Sequence, residues 1–210
     1  MRCHNKKNIS GLTLTELMVS TILVGIVMVG VVSFNYAIQQ IQSSTNKSAL
    51  LSLQAATIIS NITRNASKAV GYAGNYGIID VNSPFPESLH GTVSFRQDRK
   101  NTPTDFNDDT WVIYVNDPNA HTLRICEQTE DQGGASPSLG AGGQCSTSKA
   151  KTLSKKVKDV TFWLKVDPEA HYGYVEISLT LRDKPNTNID PITNPETTIS
   201  TRISPPGHSW

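Results

Sequence analysis

The pattern of apolar and polar residues divides the chain into a long apolar stretch near its start and a later part with alternating residues. From Leu12 to Tyr36 most residues are apolar, the others are uncharged apart from Glu16, and no charged residue follows Glu16 in this stretch. These 25 residues, as an α-helix that rises about 1.5 Å per residue, are long enough to cross a hydrocarbon core of about 30 Å. The pattern therefore predicts a membrane-spanning helix over residues 12–36.

The helical periodicity continues beyond the apolar stretch as an amphipathic segment, predicted over residues 37–71. Its apolar residues recur mostly three or four positions apart, at Ile38, Ile41, Leu53, Ala56, Ile59, Ile62, Ala66 and Ala69. Residues 43–46 are poor helix formers, so we expect the helix to bend or fray there. Gly71 and Gly74 are typical of a helix end, which places the end near Val70 or Gly71.

After Tyr76 the pattern changes to short alternating runs separated by Pro, Gly and Asn, which is typical of an antiparallel sheet. Strands are predicted near Thr92–Arg96, Trp111–Asn116, Thr122–Cys126, Val157–Val166, Tyr174–Arg182 and Thr197–Ile203. In the fifth run, alternation predicts one buried face and one wet face. We therefore expect an α+β fold, in which the second half of the helix packs on an antiparallel sheet domain over residues 72–210.

Glu16 is the residue of the apolar stretch that most needs an explanation. An ionised Glu near the end of a membrane span costs a few kcal/mol unless it is paired or kept near the interface. The nearest conceivable cation is a free amino group at Leu12, which exists only if the chain is cut after Gly11, a small residue suited to processing. The order is opposite to that of an ordinary signal peptide, whose cleavage site follows the apolar region. The sequence thus indicates a leader over residues 1–11.

The leader contains basic residues and no acid, with Arg2, Lys6 and Lys7 as its cations. The positive-inside tendency therefore keeps the leader in the cytoplasm and sends the C-terminal domain across the membrane.

Gly11 followed by Leu-Thr-Leu-Thr-Glu-Leu and a long apolar helix resembles the signature of type IV prepilins and type II secretion pseudopilins. The resemblance implies that a prepilin peptidase cleaves between Gly11 and Leu12 and methylates the new amino group of Leu12. It also implies that Glu16, as the fifth mature residue, pairs with the N-terminus of a neighbouring subunit during assembly. The implied protein crosses the bacterial inner membrane once, with its domain in the periplasm. Its implied partners are membrane lipid, the prepilin peptidase, other minor and major pilins or pseudopilins, and the inner-membrane assembly platform.

Two features bear on the kind of pilin. Ser33 stands where major pilins commonly have Pro, which favours a minor subunit. The segment from Ile62 to Gly74 resembles the helix end of minor pilins of the W or J type, although Val70 replaces an Ala. The main expectation is a minor type IV pilin that takes part in starting or capping a pilus. The J-type pseudopilin of a type II secretion system and a pilus-tip adhesin or DNA-binding subunit stay open as alternatives.

The cysteines and the net charge add two expectations. Cys3 lies in the leader, so Cys126 and Cys145 would remain in the exported chain, where a disulfide between them is the main interpretation and two free thiols are the alternative. Loss of the three leader cations turns 19 basic and 18 acidic residues into 16 and 18, a net charge of −2. This charge offers no overall attraction to nucleic acid.

Candidate groups for catalysis or metal binding are sparse. Residues 105–109 carry oxygen ligands at alternate positions, but Thr110 and Asn116 stand where an EF-hand loop has Gly and Glu, so an ordinary polar turn is predicted. The histidines lack ligand spacing, and no nucleophile elbow or phosphate loop is present. We therefore expect no enzyme, no cofactor and no metal.

A run of lysines follows Cys145 and has two interpretations. It could attract phosphate, or it could form a solvated strand edge that discourages aggregation, and the second interpretation is favoured. The residues are Lys149, Lys151, Lys155, Lys156 and Lys158.

Overall fold

The computed structural model describes residues 13–71, 77–79, 89–98, 100, 102, 105, 109–128, 150–167 and 172–204. Within these residues the fold is α+β, as predicted, with one helix, α1 (Leu14–Ala66), ahead of all the strands. The strands are β1 (Ile78–Ile79), β2 (Leu89–His90), β3 (Thr92–Gln97), β4 (Thr110–Asp117), β5 (Thr122–Gln128), β6 (Lys151–Ser154), β7 (Val157–Asp167), β8 (Tyr172–Arg182) and β9 (Glu196–Ile203). The chain divides into two compact units, residues 1–43 and 44–210.

α1 is a helix of 53 residues that ends at Ala66 and is followed by a turn at residues 67–68, so it ends before the predicted end near Val70 or Gly71. The fraying expected at residues 43–46 is absent, because α1 is helical throughout that segment. One side chain of this segment and one next to it make tertiary hydrogen bonds: Ser44 Oγ donates to the Pro191 carbonyl, and Lys47 Nζ donates to the Thr193 carbonyl at 3.2 Å. These bonds hold a stretch of weak intrinsic helix propensity in place.

The buried face of α1 differs in phase from the predicted stripe. Its buried residues recur three or four positions apart, at Leu51, Ala55, Ile58, Ile62 and Ala66. The prediction was right for Ile62 and Ala66 and wrong for Leu53, which is 66% exposed, and for Ala56, which is also exposed. The segment from Ala49 to Ile59 is apolar at so many positions that several helical phases fit it, and packing against the strands selects one.

The strands form two antiparallel sheets instead of the single sheet that was expected. The first has the order β1-β3-β4-β5-β6 and the second the order β2-β7-β8-β9. The six predicted strands correspond to β3, β4, β5, β7, β8 and β9, and the three additional strands are only two to four residues long. The alternation predicted for β8 is confirmed, since Val175, Ile177, Leu179 and Leu181 are fully buried.

The apolar core of the second unit combines the buried face of α1 with residues of both sheets. Val93, Phe95 and Tyr114 come from the first sheet, and Phe162 and Ile177 come from the second. On β4 the intervening residues belong to a smaller cluster made of Trp111, Ile113, Val115 and Cys126. Because successive strand residues point to opposite faces, β4 is covered on both sides.

Gly77 lies very close to the backbone that follows α1, at Val70. Val70 N donates to the Arg96 carbonyl at 2.9 Å, and Arg96 N donates to the Gly77 carbonyl at 2.8 Å. A Cβ atom at Gly77 would lie 2.5 Å from the Val70 carbonyl carbon, so a larger residue would force the two backbones apart.

Candidate functional site

Thr13 and Glu16 form a capping box at the start of α1. Thr13 N and Thr13 Oγ1 donate hydrogen bonds to Glu16 Oε2 at 2.9 Å and 2.7 Å, and Glu16 N donates to Thr13 Oγ1 at 3.3 Å. Such a reciprocal arrangement satisfies N–H groups that have no partner in the first turn of a helix. Thr13 was not among the predicted site residues, although the Thr-x-x-Glu spacing signals it.

The capping box leaves Glu16 able to bind a further cation. Both hydrogen bonds from Thr13 engage Oε2, and an ionised carboxylate has acceptor capacity on both oxygens. All participating atoms belong to Thr13 and Glu16, so a cut after Gly11 would not remove any of them. Gly11 and Leu12, the predicted cleavage pair, lie outside the described residues.

The helix that carries Glu16 in its first turn has a large apolar surface. Every residue from 13 to 37 is exposed, and apolar side chains such as Leu17 and Val29 are 57% and 68% exposed. By length and composition α1 is able to cross a membrane. Proteins in water rarely expose contiguous apolar patches larger than a few hundred Å². This segment therefore needs a cover of lipid or of other apolar helices.

Cys126 lies on β5 and is disulfide-bonded. Its side chain is buried in the smaller apolar cluster, beside Trp111 and Ile113. Cys145, its predicted partner, lies outside the described residues, so the pairing of these two cysteines stays a prediction.

A buried ion pair joins β3 to the residue that precedes β4. Arg96 Nε lies 2.8 Å from Asp109 Oδ2, and the two side chains are 1% and 0% exposed. Burial lowers the pKa of Arg96, and the charge of Asp109 opposes that effect. Asp109 closes the predicted polar turn, of which residues 106–108 lie outside the described part. Among the residues that the structure describes, no three His, Cys, Asp or Glu side chains form a group able to hold a metal ion.

A chain of polar side chains links the end of α1 to the first sheet. The Tyr114 hydroxyl donates to Asn61 Oδ1 at 2.6 Å and accepts from Asn65 Nδ2 at 2.6 Å. Gln97 Nε2 donates to Asn65 Oδ1 at 3.2 Å. Burial is the main cause that raises the pKa of Tyr114 to about 12. This network fixes the helix on the sheet and offers no nucleophile.

The lysines that follow Cys145 lie on different elements. Lys151 is exposed on β6, an edge strand of the first sheet, which agrees with the predicted strand edge. Lys156 Nζ lies 2.6 Å from an Asp183 carboxylate oxygen. Lys149 lies outside the described residues. A phosphate site that uses the whole run therefore gains no support from the described lysines.

A groove of about 540 Å³ runs between α1 and β6. Its lining consists of aliphatic side chains, amides, hydroxyl groups and one ammonium group, with Leu50, Leu53, Asn61 and Lys151 among the residues that contribute. Asn61 is engaged by Tyr114. The groove exposes apolar side chains of α1, and its lining does not bring together groups typical of acid–base chemistry.

No protein-family model, curated protein or solved structure matches this chain. The resemblance to prepilins therefore depends on the residues around Gly11 and Glu16.

Proposed function

We propose that the chain is a minor type IV pilin that is inserted in the inner membrane, processed after Gly11, and built into the complex that starts or caps a pilus. The observation that carries the proposal is an exposed apolar helix that has a hydrogen-bonded Glu16 in its first turn and continues as the packing helix of a two-sheet unit. A subunit that assembles through its helix needs both the exposed apolar part of the helix and the part that packs on the sheets.

Glu16 has the central role in this mechanism. In a bilayer an acid near the end of a span has a strong preference for a cation. The methylated amino group of a neighbouring subunit would supply that cation, and Oε1 of Glu16 can accept its hydrogen bond. The attraction is large at low dielectric, but desolvation of both ions offsets much of it, so the net effect is on the order of a few kcal/mol.

Variants of the capping box can distinguish the effect of the negative charge of Glu16 from the effect of capping the first turn of α1. Glu16→Gln removes the charge and keeps a side chain that can still complete a capping box. Thr13→Val removes the hydroxyl of the cap and keeps the charge. Glu16→Leu removes both contributions and keeps the apolar span.

Crosslinking to partner pilins in membranes, at equal expression, tests the proposal. We expect Glu16→Leu and Glu16→Gln to insert and to be processed, since Gly11 and Leu12 are unchanged, but to crosslink far less than the wild type. Thr13→Val should crosslink nearly as well as the wild type. Full crosslinking by Glu16→Gln would show that the charge plays no part in assembly.

The phenotype of a deletion strain distinguishes a minor pilin from a pseudopilin and from a tip-binding subunit. Loss of surface fibres with normal protein secretion is expected for a minor pilin. Loss of secreted enzymes with normal fibres would instead identify a pseudopilin, and normal fibres that no longer bind a surface or DNA would identify a tip-binding subunit.

A further inference from the structure

The loop that joins β8 to β9, residues 183–195, is held in shape by its own hydrogen bonds. Asn194 Oδ1 accepts from Lys184 N at 2.7 Å, and Asn194 Nδ2 donates to the Lys184 carbonyl at 3.1 Å. At the tip, Asp190 Oδ1 accepts from Ile192 N at 2.8 Å. The loop is therefore a defined structural element that can present side chains in fixed positions.

The 183–195 loop is attached to the first residues of α1 in the second unit. Ser44 Oγ donates to the Pro191 carbonyl, and Lys47 Nζ donates to the Thr193 carbonyl at 3.2 Å. Lys47 Nζ also lies 3.4 Å from an Asp183 carboxylate oxygen. These bonds fix both the base and the tip of the loop to the helix.

Chain length limits how far the loop can lie from the apolar stretch. Ser44 follows Tyr36, the last residue of the predicted span, by eight residues. Eight residues of α-helix rise about 12 Å. Even fully extended, they reach no further than about 29 Å. Because Pro191 is hydrogen-bonded to Ser44, this short connection limits how far the tip of the loop can lie from Tyr36.

The tip carries two exposed apolar side chains. Ile189 is 56% exposed and Ile192 is 49% exposed. The favourable free energy of removing such side chains from water grows with the apolar area buried. A bilayer surface offers that burial at the level where acyl chains meet headgroups.

The charges near the tip fit the headgroup region of a bilayer. The Asp190 carboxylate accepts hydrogen bonds from Ile192 N and Thr193 N, which compensates part of its loss of water. Lys47 is paired with Asp183, so the acids and bases at the loop largely balance. Apolar insertion, more than attraction to anionic lipid, is the driving force that these residues supply.

We propose that the 183–195 loop contacts the membrane surface and that Ile189 and Ile192 insert at the boundary between headgroups and acyl chains. The proposal rests on membrane anchoring by α1 and does not depend on the pilus role.

Site-directed fluorescence in vesicles tests the contact. The full chain, with Cys3→Ser to remove the leader thiol, is reconstituted in phosphatidylcholine vesicles with an environment-sensitive dye at Ile189→Cys or Ile192→Cys. Brominated phosphatidylcholine then serves as the quencher. Val29→Cys, in the span, is the positive control. Ser204→Cys is the negative control, since the eight residues of β9 place it about 27 Å from the start of that strand.

The proposal predicts quenching at Ile189, Ile192 and Val29, and none at Ser204. Quenching at Val29 with the loop positions behaving like Ser204 would overturn the loop contact and leave anchoring intact. Absence of quenching at Val29 would overturn anchoring, and the loop proposal with it. A spectral change at the loop positions that requires an added partner pilin would overturn the lipid contact in favour of a protein interface.

Discussion

Asp183 receives two lysines from different elements: Lys156 Nζ lies 2.6 Å and Lys47 Nζ lies 3.4 Å from its carboxylate oxygens. The first lysine precedes β7 and the second lies on α1, so this one carboxylate ties the helix to the second sheet. The hydrogen bond from Lys156 is the largest cause that holds the pKa of Asp183 below its usual range, and Lys47 adds to it.

This relationship predicts an acid-sensitive contribution to stability. A lowered pKa in the folded state stabilises the protein above the unfolded pKa, near 3.9, and that contribution is lost as the pH falls through the folded pKa. Asp183→Asn should therefore cost on the order of 1 kcal/mol at pH 7 and progressively less below about pH 4. Thermal unfolding of the full chain in detergent measures it, with Lys156→Met completing a double-mutant cycle. An equal loss at pH 7 and pH 2 would contradict the ion-pair explanation.

Tyr114 predicts a second pH dependence, at the alkaline end. Its pKa is raised to about 12, from about 10 in an unfolded chain. The contribution to stability is therefore complete below pH 10 and is lost as the pH rises through 12. Tyr114→Phe should cost about 1–2 kcal/mol at pH 7, because Asn61 and Asn65 lose their partner.

The alkaline test compares the wild type with Tyr114→Phe by denaturant unfolding at several pH values. The difference between them should shrink above about pH 10. A constant difference would contradict the role given to the buried hydroxyl.

The Arg96–Asp109 pair predicts strong coupling between two substitutions. Arg96→Met leaves the Asp109 carboxylate buried without this cation and should cost about 3–5 kcal/mol. The double variant Arg96→Met/Asp109→Leu removes both charges and should recover part of that loss. Equilibrium unfolding of the wild type, both single variants and the double variant gives the coupling energy. Additive effects would show that the two side chains do not depend on each other.

Cys126 and Cys145 are predicted to be bonded to each other. No Lys or Arg lies between Arg124 and Lys149, so trypsin releases both cysteines in one peptide, residues 125–149. Without reduction that peptide should be lighter by about two hydrogens than after reduction. Reduction should also cost about 3 kcal/mol of stability. A peptide that links Cys126 to Cys3 would contradict the pairing.

The sequence predicts those features of the fold that have a local pattern. Alternation was sufficient to find the longer strands, such as β8, and apolar length was sufficient to find the helix. The short strands β1, β2 and β6 have too few residues to show an alternation. The phase of the buried helix face was wrong at Leu53, because its sequence neighbourhood is apolar in several directions and only packing against the sheets decides between them.

The candidate site also has features that a local sequence pattern indicates and features that depend on tertiary contacts. Thr13 has a local signal, the Thr-x-x-Glu spacing, and can be found from the sequence. The pairing of Arg96 with Asp109, and the approach of Gly77 to Val70, bring together residues that no periodicity connects. That the apolar tip of the 183–195 loop is attached to α1 follows only from its hydrogen bond to Ser44, which no sequence pattern indicates.

Processing of the chain to a prepilin-type subunit can be read from the N-terminus of the protein extracted from membranes. Peptide mass spectrometry is done on cells with and without prepilin peptidase, with Gly11→Leu as the cleavage-blocked control and Glu16→Gln as a variant that should still be cut. We expect a mature chain that begins with methylated Leu12 only when the peptidase is present. An intact Met1 in those cells, or a cut beyond residue 30, would contradict it.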